Sequence, residues 1–290
     1  MDSAVFVKIL TVTGLIAIML SMGFKVRFEE VVASLRQPQL IFLGLLANFV
    51  LVPAVTIVLL YLFNPNPMVT VGFLILAVCP GSPLAPPIAS VAKGNAAFAT
   101  GLMVILAGLS ALLSPFLLAL LLAWLLSASE LQIDYVVMVR TLLVSQLLPL
   151  GLGLAIHHWA PRFASRAAKP VGLVANLLLL TVVALTLVRE YESLRTIMLS
   201  GWVGMALLLV ASLSIGWLCG GSDLATQKSL AVTTAIRSAA MTLVIASNNF
   251  ANTGAVTAVV AYALLSIFAT LGCAYALATV LRPSAVAYSK

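Results

Sequence analysis

Charge is what this sequence lacks: of 290 residues only 8% are charged, eight of them acidic, and there are two histidines and three cysteines. A soluble domain carries roughly a quarter of its residues as charges. With 63% apolar residues and a mean hydropathy of +1.19, water is excluded as the solvent of most of the chain. No Ser/His/Asp, His/Glu metal or paired-carboxylate arrangement falls within the apolar stretches, which argues against an intramembrane enzyme. Cys79, Cys219 and Cys273 lie inside those stretches at no metal-ligand spacing and read as small core residues, so neither metal nor cofactor is expected. The net charge of +7 comes from basic residues scattered singly over short joints. Without a basic stripe or an aromatic stacking platform, it excludes a nucleic-acid partner. The N-terminus has no basic segment before its first apolar run and no convincing cleavage site, so the first span reads as retained.

What remains is a succession of apolar runs of about 20 residues, the length that crosses a bilayer. Nine spans are expected, at residues 5–24, 39–63, 69–92, 96–126, 135–158, 171–188, 197–219, 224–247 and 255–281. An amphipathic connector fills 26–38, and Asn64, Pro65, Asn66, Pro67 and Met68 make a tight turn. Lys25, Arg27, Arg36, Lys93, Arg162, Arg166, Lys169, Lys228, Arg282 and Lys290 fall on one side of this scheme, against Lys8, Arg189 and Arg195 on the other. Cytoplasmic joints collect Lys and Arg, so the N-terminus is expected outside and the C-terminus in the cytoplasm. The expected location is a cell membrane, the inner membrane in a bacterium. Every acid, Asp2, Glu29, Glu30, Glu130, Asp134, Glu190, Glu192 and Asp223, falls in a joint or at a span end. Sodium or proton coupling commonly uses a carboxylate buried in the membrane, and none is expected here. His157 and His158 adjoin an inner joint, where a loop role fits better than catalysis.

Two spans depart from uniform apolarity. The third carries Pro80, Gly81, Pro83, Pro86 and Pro87 in its middle. Each interior proline removes a backbone donor and clashes with the preceding turn, so Pro80, Gly81, Pro86 and Pro87 are expected to break the helix. Irregular backbone at membrane depth survives where protein or a wet cavity satisfies it, and transporters use such breaks to bind substrate near the midplane. The eighth span places Arg237 among Thr233, Thr234 and Ser238. A guanidinium at that depth costs at least ~2.5 kcal/mol on insertion scales and does not discharge by losing its proton. Its partner is therefore a backbone carbonyl, a hydroxyl, water or an anionic ligand; a permanent structural brace is the alternative. Arg140, nearer its span end, reads as snorkelling and structural. Ile88, Ala89 and Ser90 follow Pro80 at the distance at which Ile245, Ala246 and Ser247 follow Arg237, a faint trace of an inverted repeat.

Taken in order, MGFKVRFEE, ANFVLVPA, CPGSPLAPPIASVAKGN, LLPLGLGLAIH and TQKSLAVTTAIRSA resemble the bile acid:sodium symporter (BASS) family over nearly the whole chain. The resemblance implies an all-α membrane transporter of two inverted repeats, with a core and a panel domain and two discontinuous helices crossing near the midplane beside two sodium sites. It places the first residue here at the second helix of the ten-helix members, and the repeats at 1–130, with broken helix 69–92, and 131–290, with broken helix 224–247. The family's sodium-binding Ser-Asn pair falls on Ala85 and Pro86, and its following Ser and Thr ligands on Ala99 and Met103. Its Glu, Gln and Asn in the eighth span fall on Thr233, Arg237 and Ser238, and a Gln in the second falls on Asn48. Asn48, Ser82, Pro83, Thr233, Thr234, Arg237 and Ser238 are therefore the expected substrate site. The expected function is sodium-independent secondary transport of a small organic anion, a carboxylate or bile-acid-like amphiphile. Proton-coupled symport and a non-transporting ligand sensor are the alternatives. The sequence carries no signal of oligomeric state.

Overall fold

The computed structural model describes residues 3–126, 134–195 and 197–280. The expected repeat boundary at 130, Asp2, Arg282 and Lys290 lie outside the described residues. The described chain is helical, without a strand, in the order α1 (Ser3–Lys25), α2 (Phe28–Leu35), α3 (Pro38–Leu46), α4 (Val52–Phe63), α5 (Pro67–Val78), α6 (Ala85–Val91), α7 (Ala96–Leu125), α8 (Tyr135–Leu142), α9 (Leu148–Trp159), α10 (Pro161–Arg189), α11 (Tyr191–Arg195), α12 (Leu199–Cys219), α13 (Leu224–Ala235), α14 (Ala239–Asn249) and α15 (Gly254–Val280). Eight helices among the described residues are long and apolar enough to cross a membrane. The third expected span is divided between α5 and α6, each too short to cross alone.

Prolines and polar caps set the punctuation. Asn66, Asn95, Asp134 and Asp223 accept N–H bonds at the starts of α5, α7, α8 and α13, satisfying donors that a helix start leaves free. Asp223 also accepts the Thr226 hydroxyl at 2.7 Å, and these bonds hold its carboxyl below the usual range. π turns at Ala47–Leu51 and Leu143–Leu147 join α3 to α4 and α8 to α9. Pro53 and Pro149 follow them closely; a proline has no N–H for the carbonyl four residues back and crowds it, so the helix widens there. The sixth span starts earlier than expected, at Pro161 rather than near 171. Arg162, Arg166 and Lys169 project outward there while Ala164 and Ala168 pack against Phe24, so the supposed joint is an amphipathic helical extension.

Helix packing sorts by touch. α1, α9 and α10 pack on one another; α12 packs on α4 and α13, α5 on α7 and α15, and α6 on α7, α13 and α15. α14, which packs on α5 and α15, also touches α1, and α8, which runs through a π turn into α9, touches α7, so these two helices link the groups. Aromatic and aliphatic side chains such as Phe42, Tyr61, Phe116 and Trp124 face outward, a surface suited to lipid and not to water. The stretch Leu224–Asn249 lies inside and is almost wholly buried, whereas Pro161–Arg189 is mostly exposed. Its hydroxyls and its arginine therefore meet protein instead of hydrocarbon.

Small residues permit the tightest approaches. A Cβ on Gly81 would lie 2.6 Å from the Ala107 nitrogen of α7, and Gly81 has φ +90, a conformation that an L side chain adopts at a cost of about 1–2 kcal/mol. Gly81→Ala is expected to lower the melting temperature of the purified protein by several degrees. Gly272→Ala, inside α15 where an added methyl meets nothing within 4 Å, is expected to leave it unchanged or slightly raised; equal melting of the two would contradict this packing.

Candidate functional site: two helix breaks and a buried arginine

α5 stops at Val78 because Pro80 biases the residue before it away from helix, and Cys79 accordingly has φ -110 and ψ 67. Residues 79–84 cross without helix, and α6 resumes at Ala85. Pro86 and Pro87, expected within the break, instead occupy the first turn of α6, where a missing N–H costs nothing. The second break, 236–238, contains neither proline nor glycine: Ile236 and Ser238 are extended between α13 and α14.

Interrupted helices leave carbonyls and amides to satisfy, and the two breaks satisfy each other. The Ser238 N–H donates to the Cys79 carbonyl at 3.1 Å. The Ser114 hydroxyl donates to the Val78 carbonyl at the end of α5, and the Tyr262 hydroxyl to the Ala235 carbonyl at the end of α13, at 3.4 Å. Ser114 and Tyr262 were not anticipated from sequence. Their signal is a hydroxyl set inside an otherwise apolar span.

Arg237 sits in this crossing, 4% exposed. Its Nη1 donates to Asn48 Oδ1 at 2.9 Å. Asn48, on the π turn and fully buried, donates in turn to the Gly44 carbonyl at 2.9 Å and to the Thr234 hydroxyl at 3.3 Å. Arg237 Nη2 and the Ser238 hydroxyl have no hydrogen-bond partner. Ser238 stands at the N-cap of α14 without making the side-chain bond usual there. The ion pair present among the described residues, Arg27 with Glu29, lies on the exposed surface, so no carboxylate compensates the guanidinium.

Of the expected site residues, Asn48, Thr234 and Arg237 thus form one chain of hydrogen bonds, with Ser238 beside it. Thr233 spends its hydroxyl on the Ser229 carbonyl at 2.8 Å. Ser82 accepts from the Leu84 N–H at 3.4 Å, shaping the turn before α6, and Pro83 is half-buried. Ala99 packs with Ala89, Val232 and Ile236 in an apolar cluster, and Met103 belongs to the main core. Asn48, Thr233, Thr234, Arg237 and Ser238 are each 4% exposed or less, so the cluster is enclosed in this conformation. The described acids lie at helix ends, but Glu190 is enclosed, 9% exposed, and accepts the Thr257 hydroxyl of α15. Arg140 is exposed, as its position near a span end suggested, and His157 ties α9 to α1 through the Phe24 carbonyl at 2.6 Å.

Comparison with known proteins agrees with this architecture. The model of the Sodium Bile acid symporter family matches residues 12–197. The chain is 26% identical over 242 residues to the probable sodium/metabolite cotransporter BASS2, chloroplastic, of Oryza sativa subsp. japonica, covering 82% of this chain and 57% of the relative. It is 26% identical over 216 residues to the human (Homo sapiens) ileal sodium/bile acid cotransporter, covering 74% and 61%, and 24% identical over 247 residues to the sodium-dependent transporter YocS of Bacillus subtilis (strain 168), covering 82% and 74%. The alignments thus span about three fifths of the length of the first two relatives. A multi-pass helical membrane protein by composition and fold, this chain belongs to the sodium bile acid symporter family.

Proposed function

We propose that the protein is a secondary transporter that carries a small organic anion by alternating access without sodium, Arg237 standing as a fixed positive charge where relatives hold a metal ion. The observation that carries this reading is the buried Arg237–Asn48 bond at a helix crossing with no carboxylate partner. A sodium ion 4 Å from that guanidinium would be repelled by about 4 kcal/mol at an effective dielectric of 20. Ala85, Ala99 and Met103 offer no side-chain oxygen to offset it, and Ala99 and Met103 sit in apolar clusters. The names of the relatives, sodium/metabolite and sodium/bile acid cotransporters, suggest a carboxylate or bile-acid-like amphiphile as the solute. On this reading Arg237 acts chiefly through its field and its brace on Asn48, and an unpaired Nη2 and Ser238 hydroxyl remain for the solute once the crossing opens.

The same reading places the N-terminus outside and the C-terminus in the cytoplasm, after the distribution of Lys and Arg. It assigns residues 1–130 and 131–290 to two inverted repeats, each supplying one broken helix. In keeping with that, Ser90 and Ser247, which end the two matching tripeptides, both return their hydroxyls to the carbonyl four residues back.

Three experiments test the proposal. For a labelled anion chosen by a thermal-shift screen of carboxylates, sulfonates and steroid-like amphiphiles, the initial rate of uptake into proteoliposomes is expected to stay the same when sodium is replaced by potassium. Strict dependence on a sodium gradient would refute the mechanism. Arg237→Gln is expected to abolish stabilisation by that anion without creating sodium dependence, because Thr233 still lacks a carboxylate. Asn48→Ala, which removes a bond to a charged group, is expected to cost about 1.5–3 kcal/mol of stability, read as a lower melting temperature; a neutral outcome would remove Asn48 from the account.

A further inference from the structure

The start of α10 belongs to the helix group α1, α9 and α10, which does not carry the crossing. Along a loop, Arg162, Arg166 and Lys169 would be scattered charges; on a helix they are aligned. Spacings of four and three residues put them on one stripe of α10, away from Ala164, Ala168 and Gly172, which are buried. The stripe is exposed, and it continues as Leu173, Leu177 and Leu180, exposed as well. One face of one helix therefore turns from cationic to apolar between Lys169 and Leu173. Lys169 to Leu180 spans about 16 Å at ~1.5 Å per residue, roughly the hydrocarbon depth of one leaflet in a core about 30 Å thick.

A second helix adds to the cationic end. Lys25 stands in the last turn of α1, and a Cβ on Gly172 would lie 3.1 Å from its ammonium nitrogen, so this charge rests against α10 about one turn beyond Lys169. None of the four cations is ion-paired with a described residue: Glu29 pairs with Arg27, and Glu30 stands on α2, which packs on α7 and α9. Trp159, exposed just before α10, is of the type that sits at headgroup depth. Orienting a span in the membrane requires positive charge on one side of it; it does not require that charge to be aligned on a lipid-facing stripe above an apolar one. Four cations also exceed what a single phosphodiester neutralises, and each guanidinium can engage a phosphate through two N–H bonds at once.

We infer that this face is a binding site for an anionic phospholipid with two phosphates, its headgroup held by Arg162, Arg166, Lys169 and Lys25 and its chains lying along Leu173, Leu177 and Leu180. Basic pockets between membrane helices take such headgroups. The inference is independent of which solute is carried and of what drives it. Delipidated protein in a neutral detergent is titrated with cardiolipin, phosphatidylglycerol and phosphatidylcholine, and bound lipid is counted by native mass spectrometry. Cardiolipin is expected to bind in a single copy and more tightly than phosphatidylglycerol, and phosphatidylcholine is expected not to be retained. Each cation near a charged headgroup is worth roughly fivefold in affinity. Combining Arg162→Gln, Arg166→Gln and Lys169→Gln should therefore weaken cardiolipin binding by about a hundredfold, and Arg166→Gln alone, which serves if the triple variant does not fold, by about fivefold. Arg189→Gln with Arg195→Gln, which removes two exposed cations elsewhere, should leave it unchanged. Equal affinity in the parent and the variants of the stripe, or an equal loss in the Arg189 and Arg195 pair, would overturn the site. Equal binding of phosphatidylglycerol and cardiolipin would overturn the two-phosphate assignment, and displacement of cardiolipin by an excess of inorganic phosphate would overturn the lipid.

Discussion

A guanidinium that cannot shed its charge is held at the meeting of two interrupted helices, and the rest of the structure accommodates it. Arg237 is kept from hydrocarbon because Leu224–Asn249 is the most enclosed of the eight membrane-length helices among the described residues. Its one side-chain partner, Asn48, is brought to it by a π turn, itself a consequence of Pro53. The breaks on either side stay open at membrane depth because their freed backbone groups are bonded, Ser238 to Cys79 across the crossing and the two helix ends to Ser114 and Tyr262. Substituting a smaller neutral residue at 237 would thus remove a charge and loosen a brace at once.

Membership of the family and the proposed replacement of its ion site by Arg237 are compatible in physical terms. A metal ion at a helix crossing supplies positive charge and draws oxygen ligands together. A fixed arginine supplies the charge permanently and needs fewer ligands, since its stem anchors it to α13 and α14. Ala99, where the resemblance implies an oxygen ligand in the family, is part of an apolar cluster with Val232 and Ile236. Apolar packing there stabilises the crossing by burial where a bound ion would have done so by coordination. On the proposed reading, no stored ion gradient would drive the solute, which suits facilitated diffusion or exchange.

Much of this was legible in the sequence, for reasons that can be named. Hydropathy located the spans because bilayer thickness fixes their length, and Pro80 announced the first break because a proline removes a backbone donor. The second break was not legible by that route: residues 236–238 carry no breaker, and only the resemblance to known transporters and the isolated arginine pointed there. The partner of Arg237 was nameable as a candidate, but the π turn that aims Asn48 depends on how α3 and α4 pack. Ser114, Tyr262 and the Glu190–Thr257 contact were hidden for the same reason, since a lone hydroxyl in an apolar run does not say which carbonyl it will meet. The helical start of α10 at Pro161 was missed because exposed basic residues read as a joint, whereas Ala164 and Ala168 give that segment a face to pack.

The central claim is that Arg237 occupies the place of a resident cation. Thermal unfolding of the purified protein in sodium and in potassium, at equal ionic strength, measures this directly, because an ion bound to the native state at 100 times its Kd adds about 2.7 kcal/mol of stability. The account predicts the same melting temperature in both salts. A sodium-specific rise would contradict it.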